Sequence, residues 1–365
     1  MPSVNRRTLY RSTLSKRVIS RRLAITAGDP CGIGPEVILK ALSMVHAERG
    51  RRLLVIGDLT VFTDTARRLQ ITLPAWRILG RSGSSSDLGR LPELFDAPLA
   101  FLDRGSHTPF RLGYSSKQAG QAALWYLETA VRLWRQGMID GLVTAPVTKW
   151  AIAQSRRGFV GQTEYLAGEM RVRDVAMMFA ADALRVVLLT RHVPLNRVSR
   201  LLTPALVRRT TRLTVEALQR QFGIARPKVA FCGVNPHAGE ASQCGHEEQR
   251  VFISAIRALR RQGVLCQGPF AADGLFPQAM AYDVVVCAYH DQGLIPFKLL
   301  ARDRGCQVSL GLPIVRTSPD HGSALDIAGE GIADPGSMCY ALRLAMKLAD
   351  RAACTMACQA RKRAC

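Results

Sequence analysis

Short apolar runs bounded by turn residues recur along this chain, separated by stretches whose apolar positions return every three or four residues. Leu23-Ala24-Ile25-Thr26, Leu53-Leu54-Val55-Ile56-Gly57 and Gly141-Leu142-Val143-Thr144 have the length and composition of buried strands. Val186-Val187-Leu188-Leu189, Lys228-Val229-Ala230-Phe231 and Asp283-Val284-Val285-Val286-Cys287-Ala288 continue the series. Between them, Gln118 to Leu133 and Pro204 to Gln221 repeat with helical period and are expected to be amphipathic helices. Strands that alternate with helices predict an α/β fold with largely parallel sheets. Arg81 to Ser86, reading RSGSSS, is expected to be a flexible surface loop, and no internal repeat is visible.

In such folds the chemistry gathers on loops after the carboxyl ends of strands. Several polar segments fall there: Ala27-Gly28-Asp29-Pro30, Ala145-Pro146-Val147-Thr148-Lys149, Thr190-Arg191-His192, Val234 to Glu240 and Tyr289-His290-Asp291-Gln292-Gly293. His192, His237 and His290 each closely follow a hydrophobic strand. A lone histidine in that position is more often a hydrogen-bonded structural residue. Three of them, on strand ends that converge in space, suit a divalent ion with one position open for substrate. Such an ion could polarise a hydroxyl and stabilise the alkoxide that develops during hydride loss. No HxH or HExxH spacing adds support, so the residues alone leave the structural and the metal reading both open.

The first loop, GDPCGIGPE, resembles a phosphate cradle, but Gly28, Gly32 and Gly34 lack the GxGxxG spacing of a dinucleotide fingerprint. It is better read as a tight strand-to-helix turn, with Pro35 at the helix start and Glu36 in its first turn. Lys298 and Arg316 are either surface charges or the cations that an anionic substrate needs. Asp320-His321-Gly322 is either catalytic or a cap for a following helix.

Composition narrows the class. With 48% hydrophobic and 21% charged residues over 365 positions, the chain can build one large or two moderate cores. No apolar run approaches the length of a membrane span. The formal charge of +22 raises the possibility of a nucleic-acid binder, but aromatics are only 6% and interleave with no basic stretch. General surface charge accounts for it better, and neither nucleic acid nor membrane is expected as a partner. The ten cysteines include no CxxC pair, which argues against a disulfide framework or zinc ribbon and for reduced thiols in the cytoplasm. Residues 1–22 are basic and carry no acidic group; a disordered extension is preferred over a transit peptide, and no signal peptide is expected.

Taken together, ITAGDPCGIGPEV, GLVTAPVTK, GQTEYLA, VNPHAGE, AYHDQGLIPFK and SLGLPIVRTSPDHGSALDIAG resemble the 4-hydroxythreonine-4-phosphate dehydrogenase family, in order and spacing, from about Leu23 to Leu348. The resemblance implies a homodimer of isocitrate- or isopropylmalate-dehydrogenase-like subunits, with two α/β/α domains and an active site in the cleft between them. The expected divisions are residues 23–150 plus 309–350 for the first domain, 151–308 for the second and 351–365 for a disordered tail. The same resemblance implies NAD or NADP without a Rossmann fingerprint. It also implies a divalent metal (zinc, alternatively magnesium or cobalt) on His192, His237 and His290, with ligands shared across the dimer. Substrate-contacting positions fall on Gln162, Thr163, Lys298, Gln307 and Arg316. The implied reaction oxidises the secondary alcohol of 4-phosphooxy-threonine, then releases carbon dioxide to give 3-amino-2-oxopropyl phosphate for pyridoxal phosphate synthesis.

Three departures bear on substrate. The family reads GHTE where this chain has Gly161-Gln162-Thr163-Glu164, the family's Asn is here Gln307, and the glycine-rich run after PHAGE is Ala241-Ser242-Gln243. Glutamine hydrogen-bonds but carries no positive charge, so a dianionic phosphate should be held less well. A paralogue acting on another hydroxy or diol acid, of phosphothreonate or cis-dihydrodiol carboxylate type, is the alternative. A basic nucleic-acid-binding protein on an inactive scaffold is the remote one.

Overall fold

The computed structural model describes residues 21–45, 52–79, 91–106, 109–182 and 184–364. Residues 1–20 of the basic extension and the RSGSSS stretch lie outside them. The strands are β1 (Arg22–Thr26), β2 (Arg52–Gly57), β3 (Arg77–Leu79), β4 (Leu99–Asp103), β5 (Gly141–Thr144) and β6 (Ala176–Ala181). They continue with β7 (Leu184–Leu188), β8 (Lys228–Cys232), β9 (Leu265–Phe270), β10 (Val284–Cys287), β11 (Cys306–Leu310) and β12 (Val315–Pro319). The α-helices are α1 (Gly34–Val45), α2 (Leu59–Leu69), α3 (Lys117–Arg135), α4 (Lys149–Ala153), α5 (Gln162–Glu169) and α6 (Leu195–Leu201). After these come α7 (Pro204–Arg220), α8 (Ser254–Arg261), α9 (Ala272–Leu275), α10 (His290–Ala301) and α11 (Gly336–Ala364).

One sheet runs through the molecule in the order β3-β4-β2-β1-β5-β12-β11-β6-β7-β10-β8-β9. Pairing is parallel at both ends and antiparallel only in the middle, where β11 meets β12 and β6 and where β6 meets β7. The runs expected as strands are β1, β2, β5, β7, β8 and β10. Four of them are buried along almost their whole length: RLAIT, RLLVIG, GLVT and VVVC. Continuous burial is what helices on both faces of a parallel sheet require. The two expected helices are α3 and α7. Each starts where a hydroxyl satisfies an orphan N–H: Ser116 Oγ accepts from Ala119 and Thr203 Oγ1 from Leu206, both at 3.1 Å.

Two of the expected chain divisions fall within elements. The division after residue 150 falls inside α4, and the one after 308 falls inside β11. The sheet is continuous there because β11 hydrogen-bonds β12 on one side and β6 on the other. The segment 351–364, expected to be disordered, continues α11. It contains no glycine or proline and is rich in alanine and arginine, both good helix formers. Residue 22, assigned to the extension, already belongs to β1, its backbone N–H donating to Asp140 Oδ2 at 2.9 Å.

The described cysteines form no disulfide, and Cys244 alone among them is exposed. Burial, reinforced by the Asp29 carboxylate, pushes the Cys31 thiol up to about 12, so it is protonated and unreactive at neutral pH. No helix among the described residues is long and apolar enough to cross a membrane.

Candidate active site

The centre of the sheet, where parallel pairing gives way to antiparallel, places the ends of β5, β7, β10 and β12 around one cleft of about 380 Å³. Such a reversal leaves a crevice because neighbouring connections leave in opposite directions. The first loop holds this region together. Gly28 has φ +76°, and a Cβ there would lie 2.3 Å from the Pro146 carbonyl oxygen. The close approach lets Asp29 N–H donate to that oxygen at 2.8 Å. Asp29 also accepts from Cys31 N–H at 2.9 Å and from the Ser115 hydroxyl at 2.5 Å. GDPCGIGPE is therefore a tight turn, with buried Glu36 ion-paired to Lys40 at 2.7 Å. Gly28→Ala combines a left-handed backbone with a backbone clash and should cost about 2–4 kcal/mol of stability. Denaturant unfolding checks this; an unchanged midpoint would show that the Pro146 loop yields freely.

At the floor of the cleft lies Arg316, on the central strand β12 and only 3% exposed. Its Nη2 donates to Thr144 Oγ1 at 2.6 Å, and its Nη1 donates to Ser309 Oγ at 3.0 Å and Thr163 Oγ1 at 3.3 Å. Nη1 also donates to Gln307 Oε1. All four acceptors are neutral, no carboxylate within 4 Å pairs with the guanidinium among the described residues, and its Nε is buried without a partner. Burial pushes the group down to about 10, so it remains a cation at neutral pH. A buried cation with an unused donor, opening on a cleft, is arranged for an anionic ligand.

Gln307, expected to touch substrate, lines the cleft and also braces this arginine. Its Oε1 also accepts from Ser318 Oγ at 3.0 Å, and its Nε2 donates to Ser309 Oγ at 3.1 Å. Thr163 is 2% exposed and shares a 3.2 Å hydrogen bond with Ser309. Lys298 stands at the rim, half exposed, donating to the Asp320 carbonyl at 3.0 Å. Gln162 lines the cleft, with its Nε2 on the Ala145 carbonyl at 3.1 Å and its Oε1 buried and unpartnered. Thr144, Lys149, Ser309 and Glu164 also belong to the site, although none was given a role from the sequence. APVTK, after the apolar run of β5, was the available signal for Lys149, and GQTE, a segment of the resemblance, was that for Glu164.

His192 and His290 face one another in the same cleft, ring centroids 5.7 Å apart. Burial, with the Lys149 and His290 charges second and third, pushes His192 below the ordinary imidazole range. It is therefore neutral at pH 7, the form that offers a lone pair. His290 Nδ1 lies 2.7 Å from Asp291 Oδ1, a contact that orients its ring. His237 is not among the cleft residues. It opens a run from His237 to Ser242 in which every residue has positive φ, and the described residues of one chain contain no group of three His, Cys, Asp or Glu side chains able to hold a metal ion. The pair fits two-thirds of an imidazole set, and a single chain does not close it. His321, of the DHG segment, lines the cleft with its Nδ1 3.0 Å from the Gly322 carbonyl.

Residues 50–345 match the family described as pyridoxal phosphate biosynthetic protein PdxA. The chain belongs to this family. A 4-hydroxythreonine-4-phosphate dehydrogenase from Erythrobacter litoralis is 41% identical over 342 residues, covering 91% of this chain and 98% of that protein. A D-threonate 4-phosphate dehydrogenase from Cupriavidus necator is also 41% identical, over 352 residues, with the same coverage. Among solved structures, the 4-hydroxythreonine-4-phosphate dehydrogenase of Klebsiella pneumoniae aligns with a TM-score of 0.75 at 34% identity, over 90% of this chain and all of that one. Family membership makes the chain an oxidoreductase of the dehydrogenase type, and the two activities borne by equally similar relatives put the weight of substrate choice on this cleft.

Proposed function

We propose that this chain is a homodimeric cytoplasmic dehydrogenase, dependent on NAD(P) and a divalent metal, that oxidises 4-phosphooxy-threonine and releases carbon dioxide to form 3-amino-2-oxopropyl phosphate. The observation that carries this reading is Arg316, a buried guanidinium with neutral neighbours and an unused Nε, facing the cleft. An acid group of the substrate would complete its charge, while Thr144, Thr163 and Ser309 fix the plane of the fork. Lys298 at the rim adds a second cation for the other acidic end, and Lys149 a third beside His192.

Held this way, the substrate loses a hydride from the carbon bearing the secondary alcohol as its hydroxyl loses a proton. The product ketone lies β to the carboxylate, so it accepts the electron pair of the C–C bond when carbon dioxide departs. His192 and His290, with His237 supplied by the second copy, are the residues that would hold the metal, which provides a Lewis acid to lower the pKa of the hydroxyl. NAD(P), when bound, would supply the hydride acceptor. The sharing of ligands between subunits rests on the family resemblance and on the place of His237 outside the single-chain cleft. Exposed Ile295, Leu299 and Leu300 on α10, the helix that starts at His290, offer an apolar face for that second copy.

A second reading, in which the acid is a threonate 4-phosphate, is favoured by Gln162, whose neutral amide stands where the family has histidine. The test is kcat/KM on a panel of phosphorylated and plain hydroxy acids, with either dinucleotide and added metal. The 4-phosphooxy-threonine reading expects that compound to lead the panel by at least about tenfold, the value of one charge-assisted contact. A lead for D-threonate 4-phosphate would favour the second reading, and no turnover of any acid would overturn both.

A further inference from the structure

Two residues of the cleft lining each hold a buried side-chain atom with an unmet hydrogen bond, and the two have opposite requirements. Arg316 Nε is a donor and calls for an acceptor; Gln162 Oε1 is an acceptor and calls for a donor. The orientation of Gln162 is set by its neighbour: the Ala145 carbonyl can only accept, so the amide must turn its NH2 toward it, at 3.1 Å. The oxygen is left for something else, and no described protein group bonds it. Leaving a buried acceptor unpaired is costly, on the order of 1–3 kcal/mol, so a ligand that supplies the missing donor is strongly preferred over one that does not.

We infer that Gln162 is a specificity residue that accepts a hydrogen bond from an O–H or N–H group of the substrate and does not hold its phosphate. This rests on the dehydrogenase reading above and narrows it. At neutral pH a phosphate monoester is mostly a dianion with three acceptor oxygens and little to donate. Set against Oε1 it would meet lone pair with lone pair. A hydroxyl or an ammonium meets the need in both geometry and charge. Gln162 and Thr163 are consecutive at the start of α5, and Thr163 contacts the Arg316 guanidinium. The donor therefore lies close to the acid group that Arg316 binds, and the cleft selects a hydroxy or amino acid by that pair of features. A histidine at this position could carry a positive charge toward the phosphate; the amide exchanges that attraction for recognition of a neutral or cationic donor.

The experiment measures equilibrium binding by calorimetry, without dinucleotide, for wild type and Gln162→Met. The ligands are 4-phosphooxy-threonine, D-threonate 4-phosphate, the analogues of each that lack the C2 or the C3 donor, and their non-phosphorylated forms. The first two differ in presenting ammonium or hydroxyl at C2, so they tell the two donor types apart. Methionine has similar length and no accepting oxygen. Binding of the full ligands should weaken by roughly ten- to a hundredfold in the variant, the usual range when a site built for a polar group loses it. One donor-deleted analogue should bind both proteins equally, which also shows that the variant is folded. Phosphate removal should weaken both proteins by the same factor. If the variant's loss instead disappears when the phosphate is removed, or persists whichever donor is deleted, Gln162 does not read a donor. Failure to bind any of these acids overturns the inference as well. NAD(P)H formation is followed separately: ligands that bind with the expected pattern but are never oxidised would sink the dehydrogenase reading and leave this one standing.

Discussion

Replacing Arg316 with methionine should lower kcat/KM by about 2–4 kcal/mol, roughly thirtyfold to a thousandfold, mainly through KM. The same change should leave stability nearly unaffected or slightly raised. The two effects part because the guanidinium is desolvated without an anionic partner in the free protein. Four neutral acceptors offset only part of that cost. Methionine fills similar volume and removes the buried charge, so folding gives up little. Gln307 keeps its bonds to Ser318 and Ser309, which limits the number of groups left unpaired. Substrate binding loses the only buried cation in the cleft lining. Steady-state kinetics and thermal unfolding on one preparation decide it. Unchanged kinetics would remove Arg316 from the site, and a large fall in stability with normal kinetics would make it a structural residue.

The second large effect concerns metal. Single His192→Ala, His290→Ala and His237→Ala variants should each lose tight binding of one divalent ion per subunit, with affinity weakened by several kcal/mol, on the order of 3–5. Neutral His192 opposite His290 at 5.7 Å supplies two nitrogens on one wall of the cleft. His237 supplies the third only if the second copy or a ligand-bound arrangement brings it there, so its variant is the sharpest of the three. Elemental analysis after dialysis, with activity measured in added metal, gives the readout. Retention of a full complement of metal by the His237 variant, with normal activity, would confine the site to the His192–His290 pair.

Much of the fold was legible because parallel strands covered on both faces are nearly pure apolar runs. β1, β2, β5, β7, β8 and β10 announce themselves in that way. β6, β11 and β12 do not. AMMFAA is poor in β-branched residues, and CQVSL and VRTSP interleave polar side chains with apolar ones. These are the central antiparallel strands, and their polar residues are polar because they form the site. From the residues alone Arg316 was either a surface charge or a substrate cation, and only the sheet order shows that β12 lies between β5 and β11, buried along its length. His192 and His290 could be paired from their places after strands. His237 followed the same logic, yet its left-handed turn leaves it outside the cleft lining, a backbone choice that PHAGEAS does not reveal. Gln162 and Thr163 were reached through the resemblance alone, since nothing in GQTE by itself indicates which side-chain atoms remain unpaired. The tail carries no apolar periodicity, and helix propensity alone accords with its place in α11.

The central claim is an oxidation followed by decarboxylation in this cleft, and the most direct measurement is stoichiometry. Metal-loaded protein would be given limiting 4-phosphooxy-threonine with excess NAD(P), and NAD(P)H and carbon dioxide counted against substrate consumed. One of each per molecule of substrate is expected, abolished by a chelator and restored by added metal. Consumption of substrate with no NAD(P)H, or full turnover undiminished after metal removal, would contradict it.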